Sequence, residues 1–242
     1  MKVVAINASP KMDKGNTALI LDPFLDGMRE AGAEVELFYT KKLDIKPCQG
    51  ELNCWLRTPG RCFQSDDMET VLSTMRTADV WVLATPLYVW GMSGPLKNLM
   101  DRAIPLLRPF VNLSDGYCRH PLRSRTPAAK VVLVSNCGFW ELDNFDDLLC
   151  QFRDFLGDRF VGALLRPHGP LLKALLEMGA PVHDVVDAAR EAGRELVRNS
   201  QMSQATLTNI SRELMPLEQY AKLVNQNFRE TLDIVEAKAA AN

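Results

Sequence analysis

Apolar positions along the chain fall into two alternating periods. Val3 to Ile6 is a short run rich in β-branched residues, closed by Asn7, Ser9 and Pro10, and from about Thr17 the residues Ala18, Leu21, Phe24, Leu25 and Met28 recur at helical spacing. Strand, loop and helix are predicted there. The unit then repeats, with strands at Glu34–Tyr39, Val80–Ala84, Lys130–Ser135 and Phe160–Leu165 and helices at Met68–Thr77, Leu96–Ala103, Leu142–Leu156 and Val182–Val197. The last helix carries Val182, Val185, Val186, Ala189, Leu196 and Val197 as one apolar stripe.

Strands separated by helices, several apolar along their whole length, predict an α/β fold: a doubly wound, five-stranded parallel sheet with helices on both faces. Ligands of such sheets bind beyond the carboxyl ends of the strands, at the switch in strand order, so the loops after strands one, three and four should carry the chemistry. Three segments interrupt the repeat. Thr40–Asp66 contains Cys48, Cys54 and Cys62, and Pro105–Pro127 contains Arg108, Arg119, His120, Arg123 and Arg125. From Gln204 onward, Leu207, Ile210, Leu214, Leu217, Leu223, Val224, Phe228 and Leu232 predict helices broken near Pro216, packed on the domain or on a second subunit. The expected organisation is a domain over residues 1–200, with insertions at 40–66 and 105–127, followed by a helical extension over 201–242.

Composition narrows the class. A length of 242 residues suits one large domain or a domain with an appendage. With 47% hydrophobic and 24% charged residues, the chain is neither disordered, collagen-like nor coiled coil. The balance of 28 Lys+Arg against 30 Asp+Glu, a net charge of -2, gives no general reason to expect nucleic acid or an anionic membrane as partner. The uncharged stretch Val80–Leu96 holds two prolines and two glycines and falls short of the ~20 residues of a spanning helix. MKVVAINASP runs directly into a structured pattern, with no separate apolar signal region, so a cytoplasmic protein is expected. In that compartment six cysteines read as free thiols, metal ligands or redox groups rather than a disulfide frame.

The loop after strand one, Ser9 to Thr17, offers the hydroxyls of Ser9 and Thr17, the Asn16 amide, the unpaired N–H groups of a helix start, and the charge of Lys11 or Lys14. These are what a phosphate needs, although the stretch also reads as a plain capped turn. Neither Gly-x-x-x-x-Gly-Lys-Ser/Thr nor Gly-x-Gly-x-x-Gly is present, which demotes ATP and the usual dinucleotide fold. The loop after strand three, Thr85-Pro86-Leu87-Tyr88-Val89-Trp90-Gly91, places two large aromatics beside small residues, as expected of a wall for a planar ring or of a core plug. After strand four, Ser135-Asn136-Cys137-Gly138-Phe139-Trp140 can offer Asn136 and backbone groups to the edge of the same ring, or form an ordinary turn.

Ser9-Pro10-Lys11, Gly15-Asn16-Thr17, Thr85-Pro86-Leu87-Tyr88 and Lys97 with Asp101-Arg102 together resemble the NADPH-dependent FMN reductase group of the flavodoxin-like superfamily. Cys48-Gln49-Gly50, Cys54-Trp55, Pro59-Gly60-Arg61-Cys62 and Asp66-Asp67-Met68 extend the likeness to its iron–sulfur flavoprotein branch. The resemblance covers about residues 1 to 165. It implies a flavodoxin-like fold, one FMN per subunit, NAD(P)H as co-substrate, and homodimers or homotetramers in which a neighbour helps to enclose the flavin. It also implies that Ser9, Lys11, Gly15, Asn16 and Thr17 hold the FMN phosphate, and that Thr85, Pro86, Leu87, Tyr88, Val89 and Trp90, with Asn136 and Gly138, surround the ring. In the branch's pattern of Cys-x-x-Cys-x-x-Cys and a fourth Cys, Glu51 stands in the second position. A [4Fe–4S] cluster is ordinarily held by four thiolates and is therefore not expected; Cys48, Cys54 and Cys62 remain weak metal candidates.

Lys97 and Asp101 are four apart on a helix and read as a surface ion pair, with Arg102 fixing the helix end. The expected activity is that of an FMN-dependent NAD(P)H oxidoreductase that reduces a quinone, a flavin or another flat acceptor. The flavin carries the chemistry, so no catalytic side chain is named. The alternatives are an electron carrier of the flavodoxin or iron–sulfur flavoprotein kind, and a redox sensor using the three loop cysteines.

Overall fold

The computed structural model describes residues 1–114, 116–123 and 129–240; Arg125 and Pro127 of the second insertion lie outside the described residues. In chain order the strands are β1 (Lys2–Asn7), β2 (Glu34–Tyr39), β3 (Val80–Tyr88), β4 (Gly91–Met92), β5 (Asn112–Ser114), β6 (Tyr117–Arg119), β7 (Lys130–Asn136) and β8 (Phe160–Arg166). The helices are α1 (Ala18–Glu30), α2 (Asn53–Leu56), α3 (Met68–Thr77), α4 (Gly94–Asp101), α5 (Asp146–Leu156), α6 (Gly169–Glu177), α7 (His183–Asn199), α8 (Gln204–Ser211) and α9 (Leu217–Ala240).

The central sheet has the order β2-β1-β3-β7-β8, all parallel, as the alternating pattern predicts, and β4 adds a short antiparallel rung to the end of β3. Successive residues of a strand face opposite sides. Val3 and Ala5 therefore join one core with α1, α6, α7 and α8, while Val4 and Ile6 join a second with α3, α4 and α5. Phe24, fully buried in the first core, is worth about 3–5 kcal/mol against alanine. Helices α1 and α7 approach so closely at Gly27 and Gly193 that a Cβ on either would fall on the backbone carbonyl of Arg190 or Phe24.

The elements differ from the sequence reading in several places, of which the end of β3 and helix α6 bear most on the site. Strand β3 continues through Pro86 to Tyr88 instead of ending at Ala84. Ala84 turns its carbonyl toward β1, accepting the Ala8 N–H, so Pro86, two residues on, turns its missing N–H toward the same side, where the β1 pairing has already ended. Helix α6 is an element that the hydrophobic pattern left unassigned; it opens with Gly169-Pro170 and buries Leu171 and Leu172. Beyond residue 201, Met202 and Ile210 enter the first core, so the chain stays packed on the sheet through α8. Among the described residues no helix is long and apolar enough to cross a membrane.

Candidate functional site

The β1–α1 loop is built from its own sequence. The Ser9 N–H donates to Asn7 Oδ1 at 2.9 Å and the Met12 N–H to the Ser9 carbonyl at 3.0 Å, which turns the chain sharply after the strand. Gly15 then lies against Ser9 with extended backbone, and a Cβ there would stand 2.5 Å from Ser9 Oγ and 3.2 Å from the Lys11 Cβ. The space is filled by the loop itself. Asn16 and Thr17 follow at the start of α1, and among the described residues their backbone N–H groups have no acceptor within the protein. Free amides at the positive end of a helix, with Lys11 and Lys14 exposed beside them, make an anion cradle.

The next two loops are tied to the first by buried hydrogen bonds. Asn136 Nδ2 donates to Thr17 Oγ1 at 2.6 Å, and Ser93 Oγ donates to the Ala8 carbonyl at 3.1 Å. Thr85 Oγ1 accepts the Ser93 N–H and donates to the Pro86 carbonyl, both at 2.9 Å, while Ser135 Oγ donates to the Thr85 carbonyl at 2.9 Å. Thr85 and Asn136 are thus engaged inside the protein, as braces between strand ends.

Tyr88 and Gly91 close a two-residue hairpin, and its central residues Val89 and Trp90 have φ of 48° and 56°. Positive φ at both positions is the signature of a type I′ turn, which favours Asn and Gly; a β-branched valine there is strained by about 1–3 kcal/mol. The hairpin presents side chains outward: Val89 is 90% exposed, Tyr88 52% and Trp90 51%. Trp90 stacks on Phe139 from the β7–α5 loop, with ring centroids 6.4 Å apart and planes inclined by 21°. Pro86 is buried beneath this shelf, Leu87 is half-buried and Gly138 is exposed at its edge. The structure thus brings the anion cradle and a flat aromatic surface to one carboxyl edge of the sheet.

A polar cluster behind this edge was not legible in the sequence. Arg166, fully buried, donates from Nε to the Pro167 carbonyl, from Nη1 to Ile210 and from Nη2 to Arg212. His168 Nε2 accepts from Arg166 Nη2 at 2.9 Å and from the Leu214 N–H at 3.2 Å, which makes the ring the neutral, Nδ1-protonated tautomer. Burial, and then the Arg166 charge, hold the His168 pKa down to about 4. Burial likewise pushes the Cys137 thiol and the Tyr220 phenol above their ordinary values.

The cysteine insertion sits against α4, where Asn98 Nδ2 donates to the Ile45 carbonyl at 2.7 Å and Arg102 Nη1 to the Lys46 carbonyl at 2.6 Å. Asp66 makes a bidentate, fully buried pair with Arg102 at 2.7 and 3.0 Å, and Trp55 Nε1 donates to the Leu107 carbonyl at 3.1 Å. Arg102 therefore fastens the insertion as well as ending its helix, while Lys97 and Asp101 form the exposed pair at 2.7 Å. Cys48 is exposed, Cys54 buried and Cys62 half-buried beside Arg102. An apolar groove of about 750 Å³, lined by Met92, Met100, Ile104, Phe152 and Phe155 among others, opens between α4 and α5 and contains none of residues 7–17 in its lining.

Comparison with known proteins fits this geometry. An iron–sulfur flavoprotein of Archaeoglobus fulgidus is 39% identical over 103 residues, 43% of this chain and 49% of that protein. The chain spans about half the length of the curated relatives it matches. In fold it is similar to an NAD(P)H:quinone oxidoreductase of Methanothermobacter marburgensis, at 20% identity and TM-score 0.56, covering 81% of this chain and 96% of that one. It is also similar to an FMN-dependent NADH-azoreductase of Bacillus anthracis in complex with FMN, at 16% identity and TM-score 0.58, covering 81% and 99%. The loop cysteines do not fit an iron–sulfur cluster: Glu51 occupies one thiolate position, and among the described residues no three His, Cys, Asp or Glu side chains are grouped to hold a metal ion. The pattern of the NADPH-dependent FMN reductases matches residues 1–136, from the first strand through the cradle and the aromatic hairpin to the end of β7, and the chain belongs to that family.

Proposed function

We propose that this protein is an FMN-dependent NAD(P)H oxidoreductase whose second substrate is a flat acceptor: a quinone, a free flavin, or a nitroaromatic or azo compound. The observation that carries this reading is the meeting of an anion cradle and a stacked Trp90–Phe139 surface at one sheet edge. FMN, when bound, supplies the hydride-accepting and acceptor-reducing chemistry. The chain's part is to bind and orient. The amides of Asn16 and Thr17, the Ser9 and Thr17 hydroxyls and the Lys11 charge would take the phosphate at the mouth of the loop, whose tight fold Gly15 permits. Pro86 to Trp90 and Gly138 would lie along the ring, and Thr85 and Asn136 would keep these loops in register.

The exposed hairpin aromatics also suit a neighbouring subunit, so a homodimer or homotetramer with the edge covered belongs to the same reading. Residues 1–200 would form the cofactor domain and 201–242 its extension. Absorption spectroscopy of the anaerobically purified protein, during FMN titration and then NADPH addition, tests the reading. Uptake of one FMN per chain, bleaching by NADPH and recovery with quinone are expected; a protein that takes up no FMN refutes it. An electron carrier, the alternative favoured by the names of the relatives, would be reduced yet leave quinones untouched.

A further inference from the structure

Three successive carbonyl groups of the β7–α5 loop, those of residues 137–139, are each held by a distant part of the chain. The Cys137 carbonyl accepts the Gly169 N–H at 2.8 Å, the Phe139 carbonyl accepts the His168 N–H at 2.6 Å, and the Gly138 carbonyl accepts the Tyr220 hydroxyl from the first turn of α9. Trp140 Nε1 donates to the Met215 carbonyl at 2.9 Å, and the ring of His168 packs between Trp140 and Tyr220, with centroids at 6.3 and 5.7 Å. The segment that supplies Met215 and Tyr220 is itself held by Arg166 through the Ile210 and Arg212 carbonyls. Residues 137–140 are therefore clamped between the β8–α6 turn and the start of α9. Phe139, half of the aromatic shelf, is 58% exposed, so little packing of its own fixes it. Its position is set through its backbone.

We propose that Tyr220 is a positioning residue for the acceptor subsite: its hydrogen bond to Gly138 holds Phe139 in register with Trp90, and so sets how a flat aromatic acceptor stacks there. The proposal rests on the flavin reading above and extends it to a part of the chain beyond residue 136, where the family match ends. Removing the Tyr220 hydroxyl frees the Gly138 carbonyl while leaving the phosphate cradle, built from residues 7–17, untouched.

The test is Tyr220→Phe in the full chain, which keeps the ring packed against His168 and deletes one hydrogen bond. Two readouts separate positioning from general loosening. In the protein without cofactor, hydrogen–deuterium exchange at the amides of His168 and Gly169, whose acceptors lie in the loop, should quicken about threefold or more, with exchange in residues 7–21 unchanged. In the FMN-loaded protein, KM for menadione should rise about fivefold, as expected for one hydrogen bond of ordinary net strength, while FMN affinity, anchored at the phosphate cradle, falls by less than this and the kinetics with ferricyanide stay within twofold. Trp140→Phe, which removes the second side-chain hydrogen bond between this loop and residues 215–220, should act in the same direction. Wild-type exchange and wild-type menadione KM in Tyr220→Phe would overturn the proposal, as would an equal loss with both acceptors. A wild-type protein that binds no FMN would refute the functional reading instead, and the exchange data would then decide the positioning role alone.

Discussion

Replacing His168 by glutamine should flatten the loss of stability that the protein suffers between neutral pH and pH 4. His168 is fully buried, and its Nε2 already accepts hydrogen bonds from Arg166 and Leu214, so a proton there would displace both donors and sit beside a guanidinium. The groups that face it are Arg166 from β8, the Trp140 and Tyr220 rings, and the Leu214 amide; no carboxylate pairs with it among the described residues. Its pKa falls from 6.5 to about 4, chiefly through burial and then through the Arg166 charge. Above pH 6.5 folded and unfolded chains both hold the neutral ring, and its stabilising contribution is complete. As the pH falls from 6.5 toward 4, the unfolded chain takes a proton that the folded one refuses, and stability is lost at ~1.4 kcal/mol per pH unit, about 3 kcal/mol in all. Below about pH 4 the folded state also protonates and the loss levels off. Glutamine can still accept from Arg166 through Oε1 but does not titrate, so other acid-sensitive groups cancel in the comparison. Urea unfolding of wild type and His168→Gln at pH 7, 6, 5 and 4 should therefore show the wild type's advantage shrinking by about 2–3 kcal/mol across the series. Parallel pH profiles for the two proteins would refute the buried-neutral assignment.

Gly15→Ala should weaken FMN binding about tenfold or more with little change in melting temperature, because its Cβ would displace Ser9 Oγ within the cradle; isothermal titration with FMN checks it. Val89→Asn should raise unfolding free energy by about 1 kcal/mol, since asparagine accepts the positive φ that valine resists, and denaturant titration at neutral pH measures the gain. Asp22 is half-buried near Asp26 and Asp13, and burial, with these charges, raises its pKa to about 6, so its share of stability is complete below pH 3.8 and is lost as the pH rises through 6. Asp22→Asn should accordingly stabilise the protein by roughly 1 kcal/mol at pH 7.5 and by nothing near pH 3.5, as followed by thermal melts at the two pH values.

The sequence revealed most where structure is made by neighbours in the chain. Alternation of strand and helix periods predicted the five parallel strands, because each strand must bury both faces and each helix one stripe. The cradle was legible for the same reason: Asn7, Ser9, Gly15 and Thr17 lie within a few residues and shape one turn. Reading Thr85-Pro86 as the end of a strand failed because a proline's fitness for a strand depends on whether a neighbour lies on its N–H side, and that is a fact about β1, not about β3. The pattern also left α6 unassigned, since His168-Gly169-Pro170 reads locally as a turn although proline at a helix start is favourable. Arg166 and His168 gave no sign of burial, because their partners are backbone groups of residues 210–214, more than 40 positions away.

This division runs through the candidate site itself. The half that would hold the phosphate is written mainly in one contiguous stretch, braced by Ser93 and Asn136 within the family match and by one bond from beyond it, Lys173 Nζ to the Lys14 carbonyl at 3.3 Å. The half that would face the acceptor is assembled from the β3–β4 hairpin, the loop at 137–140, the β8–α6 turn and the first turn of α9, and its last hydrogen bond spans 82 positions in the chain. A local cradle can persist while the rest of the chain changes, because its geometry is closed by its own hydrogen bonds. A shelf positioned through Gly138 and Phe139 changes whenever the segment behind it changes. Proteins that share the first 136 residues but differ afterwards should therefore agree in the cofactor they hold and diverge in the acceptor they reduce. Exchanging the segment after β7 between two such proteins should transfer the acceptor preference and change FMN affinity far less; a chimera that kept the acceptor preference of its first 136 residues would show that the hairpin alone decides it.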